Sequence, residues 1–268
     1  MIRAALLALF VALGNTPASH AQARQVINGP VDAFTTDEMG NVYVLHGDVL
    51  ELYNTKGESW LRNSVKTFGR ITSLDAFYSL KPMLFSPEQG QIAVLDNTLS
   101  LQGSVLNLPR NGYPQVVLAC MSVQNSFWFF DQQEQGLIRV DAQLRKLVNS
   151  GRLDQLLGIT VAPVALQEFD SRLYVNDPTN GILVFDLFGT YEKTIPIKQA
   201  DSFEVRGGVL YFLQQGRCYV YDMRSFQINE IPLPADLQGK VLEVRVERGR
   251  LFLRTKDQIV IEQVAVGR

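Results

Sequence analysis

Apolar residues along this chain come in short runs separated by polar loops rich in Asp, Asn, Gly and Pro. The clearest unit is residues 172–186, RLYVNDPTNGILVFD, in which Leu173-Tyr174-Val175 and Ile182-Leu183-Val184-Phe185 flank the loop Asp177-Pro178-Thr179-Asn180-Gly181. Two short runs bounded in this way predict a pair of adjacent antiparallel strands. The aromatic residue of the first run recurs as Tyr43, Phe85, Trp128, Tyr174, Tyr211 and Phe252, about every 42 residues. The acid or amide that closes the second run recurs as Asn54, Asp96, Asp141, Asp186, Asp222 and Glu262. Six copies of one unit therefore fill the chain.

Each copy reads as four strands. In the first, Val31-Asp32-Ala33-Phe34-Thr35 is predicted as an inner strand, Val42-Tyr43-Val44-Leu45 as a second, Val49-Leu50-Glu51-Leu52-Tyr53 as a third and Ser59-Trp60-Leu61 as an outer one. The middle runs of the repeats are often apolar without alternation, as expected for sheets buried on both faces. Four-stranded units repeating at this period are what radial stacking of blades produces. With its repeated aromatic, polar loop, Gly, apolar run and Asp, the chain resembles six-bladed β-propellers of the NHL and TolB-like kind, and it lacks the Trp-Asp ending of WD repeats. The resemblance implies an all-β, six-bladed β-propeller of four-stranded antiparallel blades occupying residues 24–268. A two-sheet sandwich fits less well, because it does not require six like units. The last repeat has room for only three strands, so Gln25-Val26-Ile27 is expected to supply the fourth and close the ring. Residues 150–158 should form one helical turn, with Leu153, Leu156 and Leu157 plugging the central region.

The first 23 residues do not carry the repeat. Arg3 is followed by an apolar stretch over residues 4–13 and by Ala21-Gln22-Ala23, a small-x-small pattern of the kind that signal peptidase reads. That stretch is shorter than the roughly 20 residues a membrane anchor needs. A periplasmic or secreted protein is expected, cleaved near Ala23 and without a transmembrane segment in the mature chain. A net charge of −2 with no basic stripe argues against nucleic acid as a partner. Cys120 and Cys218 fall in different repeats, so buried free thiols are favoured over a disulfide.

Catalytic chemistry is sparsely represented. Beyond residue 23 the one histidine is His46, and there is no H-E-x-x-H, no G-x-S-x-G and no phosphate-cradling glycine loop. Calcium-dependent lactonases with six-bladed propellers hold their metal with acids and amides on inner strands. Counting back from the aromatic anchors makes Asp32, Asp75, Asp201 and Glu243 the channel carboxylates on which a metal-dependent hydrolase would have to rely. They do not fall in one column, which convergence on one ion would require. No cofactor is expected. The leading reading is a monomeric binding or scaffold module for an envelope protein or peptide. Its contact face would be built from second-to-third-strand loops and blade crossings carrying His46, Asp48, Arg70, Tyr113, Asp131, Asp177, Arg217 and Lys256, since Tyr and Arg are enriched among interface anchors. Mass spectrometry of the natively expressed protein should find Arg24 as the first residue; an intact Met1 would defeat the export assignment.

Overall fold

A computed structural model describes residues 24–76 and 81–263. It contains six four-stranded antiparallel sheets. The inner strands are Ala33–Thr36, Ser73–Asp75, Val116–Ser122, Ala165–Phe169, Ser202–Arg206 and Glu243–Glu247. Each touches the next, and the sixth touches the first, so they form a closed ring around a central channel. In blade 1 the predicted third strand Val49–Tyr53 has the expected bounds, the second and outer strands extend to His46 and Ser64, and the inner strand starts at Ala33 rather than Val31. The short inner strand of blade 2 runs only from Ser73 to Asp75.

Blade 6 is composite. Its inner three strands are Glu243–Glu247, Arg250–Arg254 and Gln258–Gln263, and the outermost is Gln25–Asn28, paired from Gln25 opposite Ile261 to Asn28 opposite Gln258. Arg24, just before that strand, places a two-toothed ion pair on Asp236 of the preceding crossing, with N···O distances of 3.0 and 2.7 Å. Its Nε also lies 3.8 Å from Glu262, the sixth of the closing acids.

The core is divided into six clusters, one at each interface between blades. Successive residues of a middle strand feed successive clusters. Ile182 and Val184 pack toward blade 5, whereas Leu183 and Phe185 pack toward blade 3. Likewise Phe127 and Phe129 face blade 2 and Trp128 faces blade 4. Strand side chains alternate between faces, so a sheet covered on both sides must be apolar at every position. The period-two signal is absent from the middle runs for that reason.

The recurrent closing acids have a local task. Oδ1 of Asn54, Asp96, Asp141, Asp186 and Asp222 each accepts two backbone N–H bonds from the loop that follows, at 2.7 to 3.1 Å. The loop then needs a left-handed residue, supplied by Gly57 and Gly189 in two blades and by Leu99 and Leu144 in two others. Both leucines are buried between blades. At Gly189 a side chain would also collide with the neighbouring blade, since an added Cβ would sit 2.9 Å from Cγ1 of Val148.

The helical turn forms as Leu153–Leu157 and is ended by left-handed Gly158. Its expected role as a plug needs correction: only Leu153 is buried, and Leu156 is 54% exposed. One turn of helix points its residues in all directions, and the core reaches only one side of it. Deleting residues 24–28 removes a strand ladder and the buried Ile27. It should cost about 3 kcal/mol or more in urea unfolding, whereas an unchanged midpoint would show that blade 6 is complete without it.

Candidate functional site

Along the channel, every inner strand presents an edge whose backbone groups have no ladder partner on that side, and side chains of adjacent blades satisfy many of them. Asp75 Oδ2 accepts from Met121 N–H at 2.9 Å, and Gln167 Oε1 accepts from Val205 N–H at 2.8 Å. Ser73 donates to the carbonyl of Ala119, and Ser202 Oγ accepts from Val244 N–H. Glu168 reaches back to blade 3, where it accepts from Ser122 Oγ, from Trp128 Nε1 at 2.7 Å and from Val123 N–H at 3.1 Å. Arg139 completes that knot by donating to Ser122 Oγ at 2.8 Å.

Blades 5 and 6 contribute a chain of ions. Glu204, fully buried, pairs with Arg206 and, at 3.3 Å, with Arg245. Arg245 Nε also meets Glu243 Oε1 at 3.2 Å, and Arg254 Nε meets Glu243 Oε2 at 3.0 Å. Arg206 continues the chain to Glu247 at 3.2 Å and lies over the Phe169 ring. Burial drives the Glu204 carboxyl above its usual pKa against the pull of the two arginines. At Arg245 the carboxylates Glu204, Glu243 and Asp75 outweigh burial, and the guanidinium is held still more firmly charged. Arg206, Glu243, Arg245 and Arg254 of this chain of ions border a central cavity of about 340 Å³, whose wall also includes Asp75, Cys120, Gln167, Glu168, Asp201 and Phe203.

The four acids proposed for a metal do not assemble. Asp75, Asp201 and Glu243 reach the cavity wall, but Asp75 accepts a backbone bond and Glu243 is shared between two arginines. Asp32 and Asp201 are exposed at equivalent inner-strand starts, where each caps a neighbouring turn: Asp32 accepts from Gly47 N–H at 2.6 Å and Asp201 from Gln215 N–H at 3.1 Å. Among the described residues no three His, Cys, Asp or Glu side chains are grouped to hold a metal ion. Both cysteines are free and buried, and burial pushes the Cys120 thiol well up and the Cys218 thiol up to about 12.

The predicted contact face divides into two kinds of residue. Asp48 and Arg70 lie with Asp32 and Lys66 around a groove of about 810 Å³ between blades 1 and 2. Arg217 and Lys256 are exposed, and Arg217 lies 3.4 Å from Glu230. His46 is partly covered and sits 4.0 Å from Glu51. Three others must be corrected. Tyr113 is only 6% exposed, stands edge-on to Phe129 and donates its hydroxyl to the Leu144 carbonyl at 3.0 Å. Asp131 and Asp177 are buried and cap their own hairpin loops, through Gln133 and Glu134 N–H and through Thr179 and Asn180 N–H respectively; Asp177 also binds Ala162 N–H at 2.7 Å. A loop acid in a tight turn is consumed by the turn's own amides.

A different surface had escaped the sequence reading. Along the flank between blades 3 and 4 runs a groove of about 700 Å³, lined by Leu156, Leu157 and Ile159 of the crossing, Asn149 and Ser150 of one outer strand, and Phe188, Tyr191 and Thr194 of the next blade. Phe188 is 79% exposed at the tip of its hairpin. The sequence cue was Phe188 at a turn position that other repeats fill with Lys56, Thr98 and Gln143.

No protein-family model matches the sequence, and no curated protein matches it. Solved structures do match in shape. Virginiamycin B lyase from Staphylococcus aureus superposes with a TM-score of 0.61 at 12% identity, over 89% of this chain and 98% of that one. The Pan2 WD40 domain of Neurospora crassa gives 0.58 at 7% identity, over 85% and 73%. A chain in the structure of the mitotic checkpoint complex gives 0.61 at 9% identity, over 98% and 99%. At these identities the likeness is one of fold.

Tyr113→Phe should cost about 1 kcal/mol of stability, the net worth of one buried hydrogen bond, and leave any partner binding unchanged. A loss of binding without a loss of stability would return Tyr113 to the contact surface.

Proposed function

We propose that this protein is an exported binding or scaffold module of the bacterial envelope, freed of residues 1–23, that grips a partner protein or peptide through the flank between blades 3 and 4. A propeller ring serves a lyase and a chain of a checkpoint complex alike, so the ring does not choose between catalysis and binding and the site must. The observation that carries the reading is the pairing of exposed Phe188 with exposed Leu156 beside a groove of about 700 Å³. Exposed aromatic and aliphatic anchors beside a concave surface with a polar rim have the make-up of energetic centres in protein interfaces.

Polar groups from both blades surround those anchors. Asn149, Ser150, Thr190 and Thr194 line the groove with hydrogen-bonding capacity, and Arg152 and Asp154, shortly before Leu156 in the chain, form an ion pair of 2.7 Å. The charged residues of the predicted face, Asp48, Arg70, Arg217 and Lys256, are exposed but lack an apolar centre of this kind, which leaves them as solvated surface or a secondary rim.

The test is site-directed photo-crosslinking in the producing cells. A photoreactive residue at position 188 should trap one envelope protein that the same residue at position 256 does not, and Phe188→Ser with Leu156→Ser should abolish the adduct while leaving the melting temperature within about 2 °C. Adducts equal at both positions would remove the flank as the contact.

A further inference from the structure

We propose that the central cavity is a binding site for a small neutral polyhydroxy ligand of the monosaccharide or disaccharide class, separate from the flank groove. At about 340 Å³ the cavity is at the small end of the range of ligand pockets. Its wall is dense in planar hydrogen-bonding groups: Gln167, Glu168, Glu243, Arg245 and Arg254.

Each arginine on that wall is held by a carboxylate, and the other acids there, Asp75, Glu168 and Asp201, accept hydrogen bonds from backbone or neutral side-chain donors. Glu243 is held by Arg245 and Arg254, Glu204 by Arg206 and Arg245, and Glu247 by Arg206. An anionic ligand would have to take an arginine from such a pair and leave its carboxylate uncompensated in a buried site, a strongly unfavourable exchange, and a cationic one would have to settle beside Arg206, Arg245 and Arg254. Hydrogen-bonding capacity is not spent. Arg245 uses Nε and Nη1, and Arg254 uses Nε for Glu243 and Nη1 for the Val31 carbonyl, so among the described residues Nη2 of both guanidinium groups has no hydrogen-bond partner. Each carboxylate oxygen of Glu243 accepts one of these bonds and has a second lone pair. Free donors beside free lone pairs, on arginines already held by carboxylates, are matched by hydroxyl groups, which donate and accept at one atom. Phe203 adds an aromatic side chain to the wall, and Val164 and Leu242, both partly exposed, add apolar surface for the C–H face of a sugar ring.

The proposal is tested by calorimetry and thermal melting of the mature protein with glucose, N-acetylglucosamine and maltose, set against glycine, inorganic phosphate and putrescine. At least one sugar should bind saturably and raise the melting temperature, while the three charged probes do not. Leu242→Trp and Val164→Trp, which add bulk at exposed cavity-wall positions, should each weaken that binding by about tenfold or more, with circular dichroism unchanged. Any of three results overturns the assignment: no sugar binding up to tens of millimolar, a charged probe binding more tightly than every sugar, or sugar binding that both tryptophan variants leave intact.

Discussion

Covering a blade on both faces is the constraint from which the rest of this structure follows. The middle strands of a blade carry apolar side chains in both directions, as where Leu183 and Phe185 pack against blade 3 and Ile182 and Val184 against blade 5. A sheet of this kind has no face it can turn to water, so every blade requires two neighbours, and a finite array of such blades has no exposed end only if it closes. The composite sixth blade meets that demand. Gln25–Asn28 lies beside Gln258–Gln263, and Ile27 enters the cluster shared by blades 6 and 1.

Closure raises a second problem, at the axis. Six inner strands come together with unpaired edges, and a buried backbone N–H or C=O without a partner is costly. Side chains answer it blade by blade: a Ser, an Asp, a Gln and a Glu each bridge to the next or the preceding inner strand. Where blades 5, 6 and 1 meet, arginines and glutamates take over that work, and Arg254 bonds the Val31 carbonyl just ahead of the first inner strand. Acids that resemble a catalytic or metal-binding set in the sequence are thereby committed to structure, and the cavity they border is polar.

Activity at the surface is limited in a similar way by what the turns consume. Asp131 and Asp177 have the exposure pattern of contact residues when read along the chain, yet each is folded back onto the amides of its own hairpin. The groups left over are apolar ones that the turns cannot use. Phe188 and Leu156 come from elements about thirty residues apart and meet at one groove because Gly189 lets its hairpin lie against the outer strand of blade 3.

The number of blades, the four strands in each, the identity of the second and third strands and the membership of Gln25 to Ile27 in the last sheet were legible along the chain. All of these depend on local properties, namely turn residues at a fixed interval and runs of apolar side chains, and local properties are written in order along the chain. Which polar residues are available was settled by the folded ring. Tyr113 is buried because Phe129 covers it and Leu144 offers a carbonyl, a left-handed residue thirty-one positions away. Glu243 is neutralised because Arg254 of the adjacent strand and Arg245 of its own converge on it. Whether a side chain is spent or free depends on partners that the ring brings together across blades, and no interval along a single strand records that meeting.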